Sequence, residues 1–268
     1  MSESPGASAL LWQQIRNQNR VFWRTPIAAF FTLAFPLMFL VLFTAIFGNE
    51  VNSNGITTAQ FFAPNLAVFA AVSASYTNLA IGTAMSRDEG ILKRVRGTPL
   101  PPWIYIAGRI GSATYMAAIA VVLMMAVGII AYGVQVSWES LPASILAFFL
   151  GVGCFSALGM FVAAAVPSDA TPAVTNATLL PLAFLSDMFF IIENPPTWME
   201  MIGNFFPLKH FAIAFREPLN PLVEGLQFEW GHLAYVALWG VVAVVAAARF
   251  FRWEQRPEKS RRQSRADA

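Results

Sequence analysis

The sequence predicts an all-α, polytopic membrane protein with six transmembrane helices. An interfacial helix precedes the first span, a charged cytoplasmic helix joins the second to the third, and short outer-face helices precede the last. Three observations lead there. The 268 residues are 57% hydrophobic and only 12% charged, with a mean hydropathy of +0.57; a soluble domain carries about 25% charge. Apolar stretches long enough to cross a bilayer, roughly 20 residues each, recur six times. Lysine and arginine fall on alternate connections, the pattern that sets topology. This composition excludes a disordered chain or a nucleic-acid-binding module.

The predicted spans are 27–47, 65–85, 104–132, 141–166, 174–192 and 232–250. The first is too long for a signal-peptide core and lacks a small-residue cleavage site, so it reads as retained. The third and fourth exceed the required length and accommodate tilt. Pro181 in the fifth is tolerated as a kink in a packed membrane helix. Arg16, Arg20 and Arg24 precede the first span, and Arg87, Lys93, Arg94, Arg96 and Arg109 surround the second connection. Arg249, Arg252, Arg256, Lys259, Arg261, Arg262 and Arg265 cluster at the end, leaving only Lys209 and Arg216 elsewhere. Both termini are therefore expected in the cytoplasm, with residues 1–26 and a basic tail over 251–268 flanking a transmembrane domain over 27–250. Seven of the eight tryptophans flank spans, where amphipathic rings favour the headgroup layer; only Trp239 falls inside one. The alanine-rich spans and arginine-rich tail suit a bacterial inner (cytoplasmic) membrane.

Between the spans, residues 10–24 alternate with helical period: Leu11, Ile15 and Phe22 share one face, and Arg16, Arg20 and Arg24 the other. That is the pattern of a helix lying on a leaflet. In the second connection, Ser86 and Glu89 have capping-box spacing, so a short helix over 86–97 is expected. Ile91, Leu92 and Val95 fall on one face, and Gly97-Thr98-Pro99 stops it. The bland alternative is a solvated connector carrying topogenic charge. The fifth connection holds two apolar pieces, Trp198–Phe206 and Leu208–Phe215, too short to span and broken at Pro207. They read as re-entrant or surface helices, forming a structural plug or a gate.

Familiar chemistry is missing. No phosphate-loop motif occurs, and Gly-Lys is absent as a dipeptide. His210 and His232 have no partner at metal-ligand spacing, Cys154 is the single cysteine, and there is no nucleophile elbow. Among ionisable residues in spans, Asp187 lies near the outer end of the fifth and Arg109 near the inner end of the third, within snorkelling reach of water. Polar side chains collect at Ser73, Ser75, Tyr76, Thr77 and Asn78 in the second span and at Thr175, Asn176, Thr178, Ser186 and Asp187 in the fifth. They serve as interhelical glue or line a path. Gly153, Ala157, Gly159 and Ala163 make the fourth span a close-packing surface.

The stretch Arg87-Asp88-Glu89-Gly90-Ile91-Leu92-Lys93-Arg94-Val95-Arg96-Gly97-Thr98-Pro99-Leu100 resembles the signature of ABC type-2 exporter permeases. In that family an acidic pair, a glycine and a basic helix run into Thr-Pro-Leu between the second and third spans. Pro196-Thr197-Trp198, continuing through Phe206-Pro207-Leu208 to Arg216, is similar to the segment before the family's last span. Gly97 and Pro101-Pro102 stand where relatives often carry Ala and Ser-Pro. The likeness covers almost the whole chain.

The resemblance implies a permease subunit that pairs with a second permease chain, as a homodimer or heterodimer, and with two separately encoded ABC ATPase subunits. ATP and magnesium would be used by those partners, with no cofactor, metal or catalytic residue in this chain and membrane lipid around it. Its 86–97 segment would be the coupling helix. There Arg87, Asp88, Glu89, Lys93 and Arg94 would pair charges, and Ile91, Leu92 and Val95 would enter an apolar groove. A translocation path is expected at Ser73, Tyr76, Thr77, Asn78, Thr178 and Asp187, and an outer gate at Trp198, Phe205, Phe206 and Phe211. The expected cargo is hydrophobic or amphipathic, a drug, lipid or lipid-linked glycan moved out of the cytoplasm. An ATP-independent, ion-coupled carrier using Asp187 is the alternative.

Overall fold

In hydrocarbon a backbone amide finds no water, so a chain this apolar satisfies its hydrogen bonds within helices. The computed structural model describes residues 6–51, 55–98, 100–189, 195–223 and 225–250. Among them the order is α1 (Ala7–Trp23), α2 (Pro26–Phe47), α3 (Thr58–Asp88), α4 (Ile91–Arg96), α5 (Pro102–Tyr132), α6 (Leu141–Ala165), α7 (Thr171–Leu185), α8 (Thr197–Phe205), α9 (Pro207–Arg216) and α10 (Trp230–Phe250). The only β pairing among these residues is one bridge between Val51 and Thr57. The predicted basic tail over 251–268 lies outside the described residues. Helix α4, the start of α5 and the α6–α7 turn lie at one end of the bundle, called basal here; α8 and α9 lie toward the other.

Five helices (α2, α3, α5, α6 and α10) have the length and composition to cross a membrane. The fifth predicted span is shorter than expected. Helix α7 starts three residues early but stops at Leu185, and at 1.5 Å per residue its 15 residues reach only about 22 Å. Ser186 leaves helical geometry and Asp187 takes the left-handed region at φ 55, a conformation a non-glycine residue adopts chiefly in turns. Residues 190–192 of that predicted span lie outside the described set. The second span is longer than expected: Thr57 accepts a hydrogen bond from the Gln60 amide at 3.2 Å and so caps α3 seven residues upstream of Asn65.

Helix α3 is the axis of the bundle. Every residue from Thr58 to Val72 is buried, with α2, α5, α6 and α9 packed around it. Such closeness requires small residues, because lipid supplies no hydrophobic drive between helices. A Cβ at Gly159 of α6 would lie 2.7 Å from the Tyr76 carbonyl oxygen; only glycine admits that approach. Of the predicted close-packing stripe, Ala157, Gly159 and Ala163 are buried. Gly153 is exposed with nothing nearby, and Gly151 takes its place against the Phe211 ring. Helix α10 completes the bundle by packing along α6.

The N-terminal helix forms as predicted and has a specific seat. Leu11, Ile15 and Phe22 are half-buried while Trp12, Arg16, Arg20 and Trp23 face outward. Its inner face lies on the basal half of α5, where a Cβ at Gly108 would come within 2.6 Å of the Gln14 Cβ. Ser112 of α5 donates to the Asn19 side chain.

Candidate functional site

Two helices widen at the same level. Phe30–Ala34 in α2 and Ser73–Asn78 in α3 are π-helical turns, a geometry that appears mostly as single turns, frequently at functional sites. The turns touch, and Asn78 donates its side-chain amide to the Thr32 hydroxyl. Thr32 in turn donates to the Ala28 carbonyl at 2.7 Å. Across from them, the Tyr76 hydroxyl lies 2.8 Å from that of Thr178 in α7. Thr178 spends its one proton on its own helix, at the Val174 and Thr175 carbonyls, so Tyr76 is the donor.

Four of the predicted path residues, Ser73, Tyr76, Thr77 and Asn78, thus sit on one π turn, and Thr178 joins them through Tyr76. Ser73 and Asn78 are half-buried and Thr178 is exposed; the buried Thr77 hydroxyl has no partner among the described residues. Asp187 stands apart. It lies beyond the end of α7, in an ion pair with Lys209 of α9 at 3.0 Å. Nearby, Phe39, Phe43, Phe69 and Phe184 surround Phe189 with ring centroids between 4.9 and 6.3 Å.

About two turns toward the basal end lies a second polar cluster. Arg109 of α5 is 7% exposed. It donates through Nε to the Tyr105 hydroxyl at 2.9 Å, and through its terminal nitrogens to Thr83 at 2.9 Å and Ser86 at 2.5 Å. The snorkelling expected of Arg109 does not occur, because these hydroxyls meet it inside the bundle. Thr83 and Ser86 direct their own protons back to the Leu79 and Gly82 carbonyls, leaving lone pairs outward for the cation.

The basal connection differs from the predicted capping box. Ser86 lies inside α3, not at a helix start, and α4 begins only after Gly90, whose φ of 69° breaks the chain between them. The expected 86–97 helix is therefore a helix end, a glycine joint and the six-residue α4. Arg87 turns inward and donates to the Ala163 and Val166 carbonyls at 2.6 and 3.1 Å, satisfying the unpaired end of α6. Asp88 accepts from Ser168 just beyond α6. Leu92 is fully buried in its own chain, so it anchors α4 instead of being free for a partner's groove. Ile91, Lys93 and Arg94 are exposed, as is Glu89, and Val95 is half-buried.

At the far end α8 and α9 form where the two short apolar pieces were expected. Trp198 and Phe205 are exposed, and Phe206 stacks on Trp239 at 5.9 Å. Phe211 is only 1% exposed and lies against Phe155; it is a wedge holding α9 on α6, away from any opening. The Phe205 carbonyl accepts from both the Tyr235 hydroxyl and Trp239 Nε1, at 2.8 and 3.1 Å, fixing α8 to α10. His210 and His232, without a partner in the sequence pattern, meet at 2.7 Å between Nδ1 atoms, and His210 Nε2 lies 2.8 Å from the Asn204 carbonyl.

Residues 8–219 match the family of ABC-2 type transporters. The chain belongs to that family. It is 29% identical over 232 residues to the daunorubicin resistance ABC transporter permease protein DrrB1 of Streptomyces coeruleorubidus, covering 84% of this chain and 79% of the relative. Nodulation protein J of Rhizobium leguminosarum bv. trifolii is 26% identical over 243 residues, 87% and 91% of the two chains. The inner membrane transport permease YadH of Escherichia coli K12 is 23% identical over 192 residues, 69% and 74%. The protein is thus an integral membrane transport permease of the ABC type, and permeases of this family work with an ATPase subunit.

The Arg109 cluster is what the sequence reading of this ABC-2 permease missed. Its signal was present: Tyr105 and Arg109 are four residues apart, and Thr83 and Ser86 three, so each pair shares a helix face. The histidine pair left no such trace, since 22 residues and two helices separate its members.

Proposed function

We propose that this permease is the membrane-spanning half of an ATP-driven exporter. A second permease chain completes the pathway, and two ATPase subunits, which use ATP and magnesium, dock under α4. In this reading the basal end is cytoplasmic, both termini lie there, and this chain binds no cofactor. The observation that carries it is the construction of the basal connection. A short helix presents Ile91, Lys93 and Arg94 outward, while Leu92 and Arg87 tie it to its own bundle. Such a part passes a push from outside into α3 and α6 together.

Cargo moves along the π turn of α3 and the polar face of α7. Hydroxyls, an amide and phenylalanine rings without a net charge suit a hydrophobic or amphipathic molecule, a drug, lipid or lipid-linked glycan. Asn176 and Thr178 are exposed on α7, a face that lipid would solvate poorly, so the second permease chain meets it there. Asp187, paired with Lys209 away from Tyr76 and Thr178, gives the ion-coupled alternative no central carboxylate.

The test is co-purification of the tagged permease from its native membrane in mild detergent. A P-loop ATPase should accompany it. Charge reversal of Lys93 and Arg94 together is expected to abolish that association at unchanged permease yield, because both side chains are exposed and stabilise nothing internally. Recovery of the permease without any ATPase would overturn the reading.

A further inference from the structure

Beneath the π turns, α1, α3 and α5 enclose a cavity of about 380 Å³, a volume in the range of small-ligand sites. Arg109 lies in its wall. A guanidinium offers five N–H donors, and here three are engaged, all by neutral hydroxyls. No carboxylate among the described residues lies within ion-pair distance of it. A buried cation left this way is costly unless an anion joins it, and two donors are available for one. The rest of the cavity has another character. Val21, Met85 and Ile91 are exposed and apolar, Leu79 and Met116 are buried behind them, and the exposed carboxylate Glu89 stands among the lining residues.

We propose that this cavity binds a zwitterionic aminophospholipid from the adjoining leaflet. Its phosphate sits on Arg109, its amine turns toward Glu89, and its acyl chains leave across Val21, Met85 and Ile91. The phosphate follows from the guanidinium, whose planar donors match phosphate oxygens. The amine follows from Glu89, which disfavours a purely anionic headgroup. The acyl chains follow from the apolar lining, which a free phosphate would leave unused. Depth agrees: Arg109 is seven residues into α5, about 10 Å from its start, and the exposed Trp12 and Trp23 of α1 suit the headgroup layer. The inference rests on placement in a membrane and not on the exporter reading, so the two fail separately.

The test uses the full-length permease, purified, stripped of lipid in detergent, and titrated with phosphatidylethanolamine, phosphatidylglycerol or inorganic phosphate. The readout is the midpoint of thermal unfolding, which a ligand specific for the folded state raises with concentration. Phosphatidylethanolamine should raise it saturably, phosphatidylglycerol should require about tenfold more lipid, a difference of one charge interaction, and inorganic phosphate should have no effect. Glu89→Gln should erase the preference between the two lipids. Ala113→Phe, which fills the cavity, should erase the response to both, as should Arg109→Met. If Arg109→Met does not fold, Glu89→Gln and Ala113→Phe carry the test. Equal response of the unmodified permease to both lipids, stabilisation by inorganic phosphate alone, or a normal response in Ala113→Phe would overturn the proposal.

Discussion

Alanine at Arg87 is expected to leave the permease bound to its ATPase while cutting transport by an order of magnitude or more. The Arg87 guanidinium bonds two carbonyls at the end of α6, each charge-assisted bond contributing about 1.5–3 kcal/mol. Its removal frees the basal end of α3 from α6 but leaves the exposed face of α4 intact. A push on α4 then moves one helix instead of two. Lysine at the same position should rescue only partly, since a single ammonium lacks the fork that spans both carbonyls. Substrate uptake into inverted membrane vesicles, read beside ATPase co-purification, separates this variant from the Lys93/Arg94 reversal, which loses the partner altogether. Full transport by the alanine variant would show that the α3–α6 tie carries no force.

The second large effect is on folding. Gly159→Val places a Cβ 2.7 Å from the Tyr76 carbonyl and 3.2 Å from that of Ser75. Both obstacles are backbone, so neither can rotate away. Overpacking of this kind costs about 1–3 kcal/mol or more, concentrated where α6 meets the π turn. A sharp loss of monodisperse protein in detergent is expected, together with a lower unfolding midpoint. Gly153→Val is the matched control. Its Cβ would meet nothing within 4 Å, and the same glycine-to-valine cost in helix propensity applies. Equal behaviour of the two variants would show that the close approach is not what holds the helices together.

Much of this architecture was legible because a bilayer imposes simple rules. Span number, the outward arginine face of α1 and the two short helices before α10 all follow from apolar length and charge placement. What escaped was set by contacts that one-dimensional patterns do not record. Ser86 looked like a cap because a Glu lies three residues on, yet α3 runs through it, since the following glycine and not the serine breaks the helix. Leu92 shared a face with Ile91 and Val95 in the sequence, but burial distinguishes it: its own bundle covers it fully. Gly151 and Gly153 differ by two residues and point opposite ways, so only one meets Phe211. Of the candidate path, the run from Ser73 to Asn78 was visible as polar residues in an apolar span; that they occupy a wide turn facing another wide turn was not.

That wide turn has a further consequence, for the counting of residues. A π turn takes one more residue than an α turn to close its hydrogen-bonded ring, and each residue rotates a helix by about 100°. The orientation of everything from Leu79 to Asp88 relative to Thr58–Val72 therefore depends on one additional residue. Remove any one between Ser73 and Asn78, and the turn tightens to ordinary pitch while the basal half swings by about 100°. Thr83 and Ser86 would then face away from Arg109, and Arg87 away from the carbonyls it holds. Substitutions along this segment change a side chain. A single deletion would re-aim half a span, so length is the property this segment must keep.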